Sequence, residues 1–201
     1  MQASTLVDTT GQIPIHVANA YPGSQRLATG ACSSGGLDAY SMHLAFPEPT
    51  HFVGRDTEPR LHISVLLHGT LDAEGGGQKL RFEPRQVMLA QQPNVPWTVH
   101  MHGEIREVGL LIAPQALERL AGEQGQQFHH RLLAQGAFAL HTADPATLHA
   151  THDLATLLLG EAPGGALLRE AKALEVLARI MQCHGDAEAS VPAAARRGLL
   201  H

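Results

Sequence analysis

A chain of 201 residues is long enough for one domain burying roughly two-thirds of its unfolded surface, and too short for two large ones. Only 16% of the residues are charged and the formal net charge is -5, which lacks the basic excess of a surface that grips phosphates. Cys32 and Cys183 stand far apart and outside any CxxC pair, which argues against a disulfide framework or zinc knuckle, and no stretch resembles an export signal or membrane span; a cytoplasmic protein without membrane contact is expected.

Residues 1–37 read as an N-terminal extension that is at most partly stranded. From 38 to 113, short runs with a period of two alternate with turn signals. "AYSMHLAF" sets Tyr40, Met42, Leu44 and Phe46 on one face, and "LHISVLLHG" sets Leu61, Ile63, Val65 and Leu67 on one face. "GGG" at 75–77 makes a tight turn before "QKLRF", Pro84 ends that strand, "QVMLAQ" makes another, and "QPNVP" turns the chain into "PWTVHMHGEIREVGLL". In that last run His100 and His102 project from one face while Trp97, Val99 and Met101 share the other. Many short antiparallel strands imply a sandwich or small barrel.

After Pro114 the period becomes 3.6. "APQALERLAGE" places Leu117, Leu120 and Ala121 on one side of a helix, and "DPATLHATHDLATLLLG" has Asp144 as N-cap, Pro145 in the first turn and Gly160 as its stop. In "GGALLREAKALEVLARIMQCHG", Leu167, Ala171, Leu174, Ala178 and Met181 recur at spacings of four and three, so the side bearing Leu167, Leu174, Leu177 and Met181 is expected to be buried over a helix at 164–184. Residues 185–201 are small, polar and proline-interrupted and read as a flexible tail. The 14 histidines are mostly scattered; His149 and His152 with Asp153, and the adjacent His129 and His130, read as solvated faces rather than ligand sets.

The segments "LHISVLLHGTL", "LRFEPRQVMLAQQPNVPW", "REVGLLIAPQALERL" and "LLREAKALEVLARI" resemble the N-terminal, cupin-like sensor domain of AraC-family transcription regulators, above all the siderophore-responsive branch. The resemblance runs from about Arg55 to His184 and implies a mainly β fold with C-terminal α: a cupin-like antiparallel β-barrel or sandwich at 38–113, followed by three helices in a linker and dimerisation segment at 114–184. It further implies a small-molecule effector, with an iron-siderophore or haem-like chelate among the candidates, and a homodimer through the 164–184 helix. DNA would be reached only through a helix-turn-helix part absent from this chain, which ends at His201.

Set into the pattern of metal-binding cupins, the ligand positions of this sequence fall near Arg55 and Thr57, at His62 and at Trp97, so neither a bound metal nor another cofactor is expected. The same register turns His62, Ser64 and Leu66 inward and leaves Leu61, Ile63, Val65 and Leu67 needing a helical cover. Arg55, His62, Ser64, Trp97, Val99 and Met101 are then the expected ligand-binding residues, with no catalytic residue and no enzyme activity. The alternative is a metal-dependent cupin enzyme using His100, His102 and Glu107, which reproduce a His-x-His-x4-Glu spacing. Alternation alone leaves open which strand face is the interior.

Overall fold

The computed structural model describes residues 6–8, 24–91, 93–136, 138–160 and 164–189. Most of the expected N-terminal extension and residues 190–201 of the expected tail lie outside the described residues. In chain order the elements are β1 (Leu6–Asp8), β2 (Gln25–Ser34), β3 (Leu37–Arg55), β4 (Leu61–His68), β5 (Leu71–Gly75), β6 (Gln78–Phe82), β7 (Gln86–Ala90), β8 (Trp97–Ile112), α1 (Pro114–Gln135), β9 (Phe138–Thr142), α2 (Pro145–Leu159) and α3 (Gly165–Ala189). All strand pairs are antiparallel except β1 with β3.

The long strands β3 and β8 form the spine, paired from Leu37 opposite Ile112 to Gly54 opposite Trp97. One half of this spine carries β2 on β3 and β4, β7 and β9 beyond β8; the other half carries β1 on β3 and β5 and β6 beyond β8. β8 changes partner from β5 to β4 near Gly103, whose φ of 76° lies in the left-handed region that glycine enters without strain. Two-residue turns at Gly35–Gly36 (φ 57° and 85°) and Gly76–Gly77 (φ 55° and 78°) close the β2–β3 and β5–β6 hairpins, because two successive positive φ angles match the twist of the strands they join.

Alternation along the spine sorts the apolar residues into two layers. Tyr40, Met42, Leu44 and Phe46 of β3 meet Met101, Ile105 and Leu111 of β8 and Leu66 of β4 in the barrel interior. On the opposite face Leu61, Ile63, Val65, Val87, Leu89, Val108, Leu110 and Ile112 are covered by the helices, as the apolar outward row of β4 required. Burying both faces lets one sheet serve two cores, with each buried leucine-sized side chain contributing about 1.5–3 kcal/mol.

The helices differ from expectation in their rotation. The buried side of α3 is Ala173, Val176, Leu177, Ile180 and His184, whereas Leu167 is 73% exposed and Leu174 and Met181 are only half-buried. Ala173 and Val176 are compact and enter the core that α3 shares with α2 and β2, so the helix turns that row inward and leaves its leucine-rich first turns outside. In α1 a kink at Gly122 (φ 56°, ψ -139°) breaks the stripe, and Leu120 is exposed while Leu117, Phe128 and Leu132 enter the core. β9 is a strand within the stretch expected to be helical; it extends the sheet on β7, with Leu89 opposite Ala139. α2 begins as expected, with Asp144 accepting from Thr147 N at 2.8 Å and Pro145 in the first turn.

We predict that Leu177→Ala lowers unfolding free energy by about 2–4 kcal/mol, as for a buried leucine, while Leu167→Ala changes it by less than about 0.5 kcal/mol. Urea denaturation of both variants checks this; equal costs would contradict the rotation described.

Candidate ligand site in the barrel interior

Gly109 sets the centre of the site. It pairs with Tyr40 on one side and Ser64 on the other, and a Cβ at this position would lie 2.1 Å from the tyrosine ring. The missing side chain therefore lets the Tyr40 ring lie across β8. Its hydroxyl donates to Glu107 Oε1 at 2.6 Å and stands 3.3 Å from Ser64 Oγ. Glu107 is 5% exposed, and burial pushes its carboxyl above the ordinary range against the opposing hydrogen bonds from Tyr40 and Ser64.

A second polar group lies at the end of β3. Asp56 Oδ2 accepts from Arg60 at 2.7 and 3.2 Å and stands 3.2 Å from His62 Nε2, while Glu58 N donates to Oδ1 at 3.0 Å. Burial works to raise the Asp56 carboxyl, but the hydrogen bonds from His62, Arg60 and Glu58 lower it on balance. The Asp56 backbone oxygen also accepts from Asn94 N at 2.7 Å, which ties the "QPNVP" turn to this corner. His62 and Ser64 are successive inward residues of β4, so they join the two groups into one polar row, each step about 6.6 Å along the strand. Met88 and Leu140 supply apolar wall beside Ser64.

Trp97 completes the corner. Its ring packs over Gly54, where a Cβ would lie 2.4 Å from Cζ2, and meets Phe52 with ring centroids 5.3 Å apart. Gly54 precedes Asp56 by two residues on the same face of the chain, so the half-buried tryptophan and the Asp56–His62 pair share one end of the barrel.

Of the expected ligand-binding residues, His62, Ser64, Trp97, Val99 and Met101 face the interior. Arg55 does not share their face: Phe52 and Gly54 are inward, and alternation turns Arg55 the other way, with Asp56 taking the inward place. The alternative metal set is divided by the same rule. His100 and His102 are exposed on the outer face while Glu107 lies inside with Tyr40, so the three cannot share an ion. Nor does the inner donor set suit a metal, because the Arg60 guanidinium occupies the Asp56 carboxylate. Tyr40, Asp56, Arg60 and the inward role of Glu107 were not expected; the even spacing from Trp97 to Met101 and on to Glu107 along β8 is the signal that points to the last of these.

The sequence matches the family described as regulatory protein PchR N-terminal domain over residues 26–196. The chain belongs to that family. Its family is thus that of the N-terminal domain of a regulatory protein. No curated protein matches it. Among solved structures it is similar to the AraC-like transcriptional activator CuxR at 10% identity and a TM-score of 0.49, over 76% of this chain and 53% of that one. KdgF from Halomonas sp. follows at 19% identity and a TM-score of 0.36, over 45% of this chain and 79% of that one. A cupin domain of an XRE family regulator from Enterobacter cloacae matches at 13% identity and 0.36, over 46% and 98%. The PchR-type chain thus spans about half the length of the CuxR chain it matches. Among its described residues no helix is long and apolar enough to cross a membrane.

Because the folded-state carboxyl of Glu107 is raised, its contribution to stability is present below the ordinary glutamate value of 4.5 and is lost as pH rises through the folded value. Each unit of that rise corresponds to about 1.4 kcal/mol. Glu107→Gln keeps an acceptor for Tyr40 and removes the titration. The stability of the variant relative to the parent should therefore increase with pH from 4.5 upward, as read by denaturation at a series of pH values; a constant difference would contradict the burial of an unbalanced carboxyl.

Proposed function

We propose that this domain is the effector-binding part of an AraC-type transcription regulator acting in the cytoplasm, and that a small organic or iron-chelate ligand occupies the barrel interior. The observation that carries this is the row His62, Ser64, Tyr40 and Glu107, running from the Asp56–Arg60 pair through a largely apolar interior beside a half-buried tryptophan. An apolar wall with a few convergent polar groups and a carboxyl displaced from its ordinary range is the usual chemistry of a small-molecule site. Trp97 offers a flat face to an aromatic ligand, worth about 0.5–1.5 kcal/mol beyond the area buried.

The effect on DNA binding would arise by linkage. Leu140 of β9 packs against the interior cluster, and the next residue, His141, meets α3, where its Nε2 stands 2.9 Å from His184 Nδ1. A ligand that moves β9 would thus alter the seating of the C-terminal end of α3. To swing that equilibrium from 1:99 to 99:1 it must prefer one arrangement by about 5.5 kcal/mol. Pairing of two copies through the start of α3 is supported by Leu167 and Leu168, 73% and 50% exposed on adjacent positions.

The test is titration of tag-free protein with ferric siderophore chelates, haem and small aromatic acids, following the emission of the single tryptophan. One of these classes should change the emission saturably, and Ser64→Ala or His62→Ala should weaken it about tenfold, the effect of one lost buried hydrogen bond. Binding seen by calorimetry that leaves the emission unchanged and survives Trp97→Phe and His62→Ala would place the ligand elsewhere. Sedimentation of the same protein and of Leu167→Asp reads the pairing, which the aspartate should abolish.

A further inference from the structure

Leu117, Leu120 and Ala121 make one apolar side of α1 by sequence, yet of the three Leu117 alone enters the core. The kink at Gly122 turns Leu120, 43% exposed, and Ala121 toward α3 instead, across a cleft of about 370 Å³. Gly125 lets the two arms of α1 cross closely, because a Cβ there would lie 2.6 Å from the Leu117 backbone oxygen. Beyond the kink Gln124, Gln127 and Arg131 recur at spacings of three and four, so they line one side of the cleft, facing Met181 and Gln182 of α3.

We propose that this cleft binds a small organic acid with an aliphatic body, the Arg131 guanidinium holding the carboxylate and Leu120 and Met181 the hydrocarbon. Its volume is of the size that small-molecule sites have, roughly 300–1,000 Å³. Among the described residues that line it, Arg131 alone is charged and none is aromatic, so the cleft complements an anion with an aliphatic chain better than a cation or a flat ring. A guanidinium presents five N–H donors in a planar fork, so it can take a carboxylate alongside the contacts it makes within the protein.

The acids flanking the lining residues have partners of their own. Glu118 accepts from Gln126, Glu123 accepts from Gln127 Nε2 at 3.1 Å, and Glu175 pairs with Arg179 at 2.8 Å. Gln124 and Gln182 are exposed at the mouth, where an amide N–H can donate to a carboxylate oxygen. The cleft shares no residue with the row His62, Ser64, Tyr40 and Glu107, so an acid bound here is a second ligand beside the effector. By bridging α1 and α3 it stabilises the fold in proportion to the logarithm of its concentration.

The experiment is calorimetric titration of the tag-free chain with sodium octanoate at neutral pH, with octanol and octylammonium chloride as probes of the same body carrying no charge and the opposite charge. One octanoate per chain is expected, with both other probes at least about tenfold weaker and Arg131→Gln weakening octanoate at least about tenfold, the effect of one charge-assisted hydrogen bond. Should Arg131→Gln fail to fold, Gln182→Glu decides, since its position is exposed: the new carboxylate should weaken octanoate about tenfold and strengthen octylammonium. His62→Ala and Trp97→Phe should bind octanoate as the parent does, and octanoate should raise the melting temperature of both. No saturable binding by the parent, equal binding of octanol, an octanoate affinity unchanged in Gln182→Glu, or a loss in His62→Ala would overturn the proposal.

Discussion

The antiparallel pairing of β3 with β8 is the constraint on which the rest depends. Sixteen residues of β8 from Trp97 to Ile112 run beside β3, and alternation along this one strand decides what faces the interior, what faces the helices and what faces water. Trp97, Val99, Met101, Ile105, Glu107 and Leu111 go inward; Val108, Leu110 and Ile112 go to the helices; His100 and His102 go to water. A shift of one residue would exchange all three sets at once. Gly109 adds a steric lock, since any side chain there would displace the Tyr40 ring and with it the hydroxyl that reaches Glu107.

The interior is unusual in holding two acids in opposite conditions. Asp56 sits against the Arg60 guanidinium and His62, which hold its carboxyl below the ordinary range despite burial. Glu107 has hydroxyl partners, and burial carries its carboxyl the other way. Titratable groups pushed apart by their surroundings are a mark of functional sites, and here they stand at two ends of the row through His62 and Ser64. A carboxyl that binds its proton readily can donate a hydrogen bond to a ligand as well as accept one, whereas Asp56 is committed to structure. The same acid–base logic recurs outside the barrel at the start of α2, where the Cys183 thiol donates to the Asp144 carboxylate and helps bring it down to about 2, fastening α3 to the α2 N-terminus.

The strands were legible because one face of each is strictly apolar. "AYSMHLAF" carries the period of two throughout and "LHISVLLHG" carries it as far as Val65, where Leu66 breaks it, and the covering of Leu61, Ile63 and Val65 followed from their being too apolar for water. Helix rotation was less legible, because α3 has apolar residues around much of its circumference and its packing against α2 and β2 takes Ala173 and Val176 rather than the larger Leu167 and Leu174. β9 is five residues long and only weakly alternating, and its strand form comes from the free edge of β7. In the site, Trp97, His62 and Ser64 could be placed because they lie in regular strands. Arg55 came from the cupin ligand pattern, whose spacing fixes no parity at the irregular end of β3, where Asp56 takes the inward place.

The direction in which each β8 side chain points is measured most directly by thiol reactivity. In a background with Cys32 and Cys183, both free thiols, replaced by alanine, single cysteines are placed at positions 99 to 107 of β8 and their rates of reaction with a soluble thiol reagent are compared. The account predicts fast reaction for His100→Cys, His102→Cys and Glu104→Cys and slow reaction for Met101→Cys, Ile105→Cys and Glu107→Cys, in strict alternation. Fast reaction at 101, 105 and 107, or no alternation at all, would contradict the assignment of the interior face and the ligand site built on it.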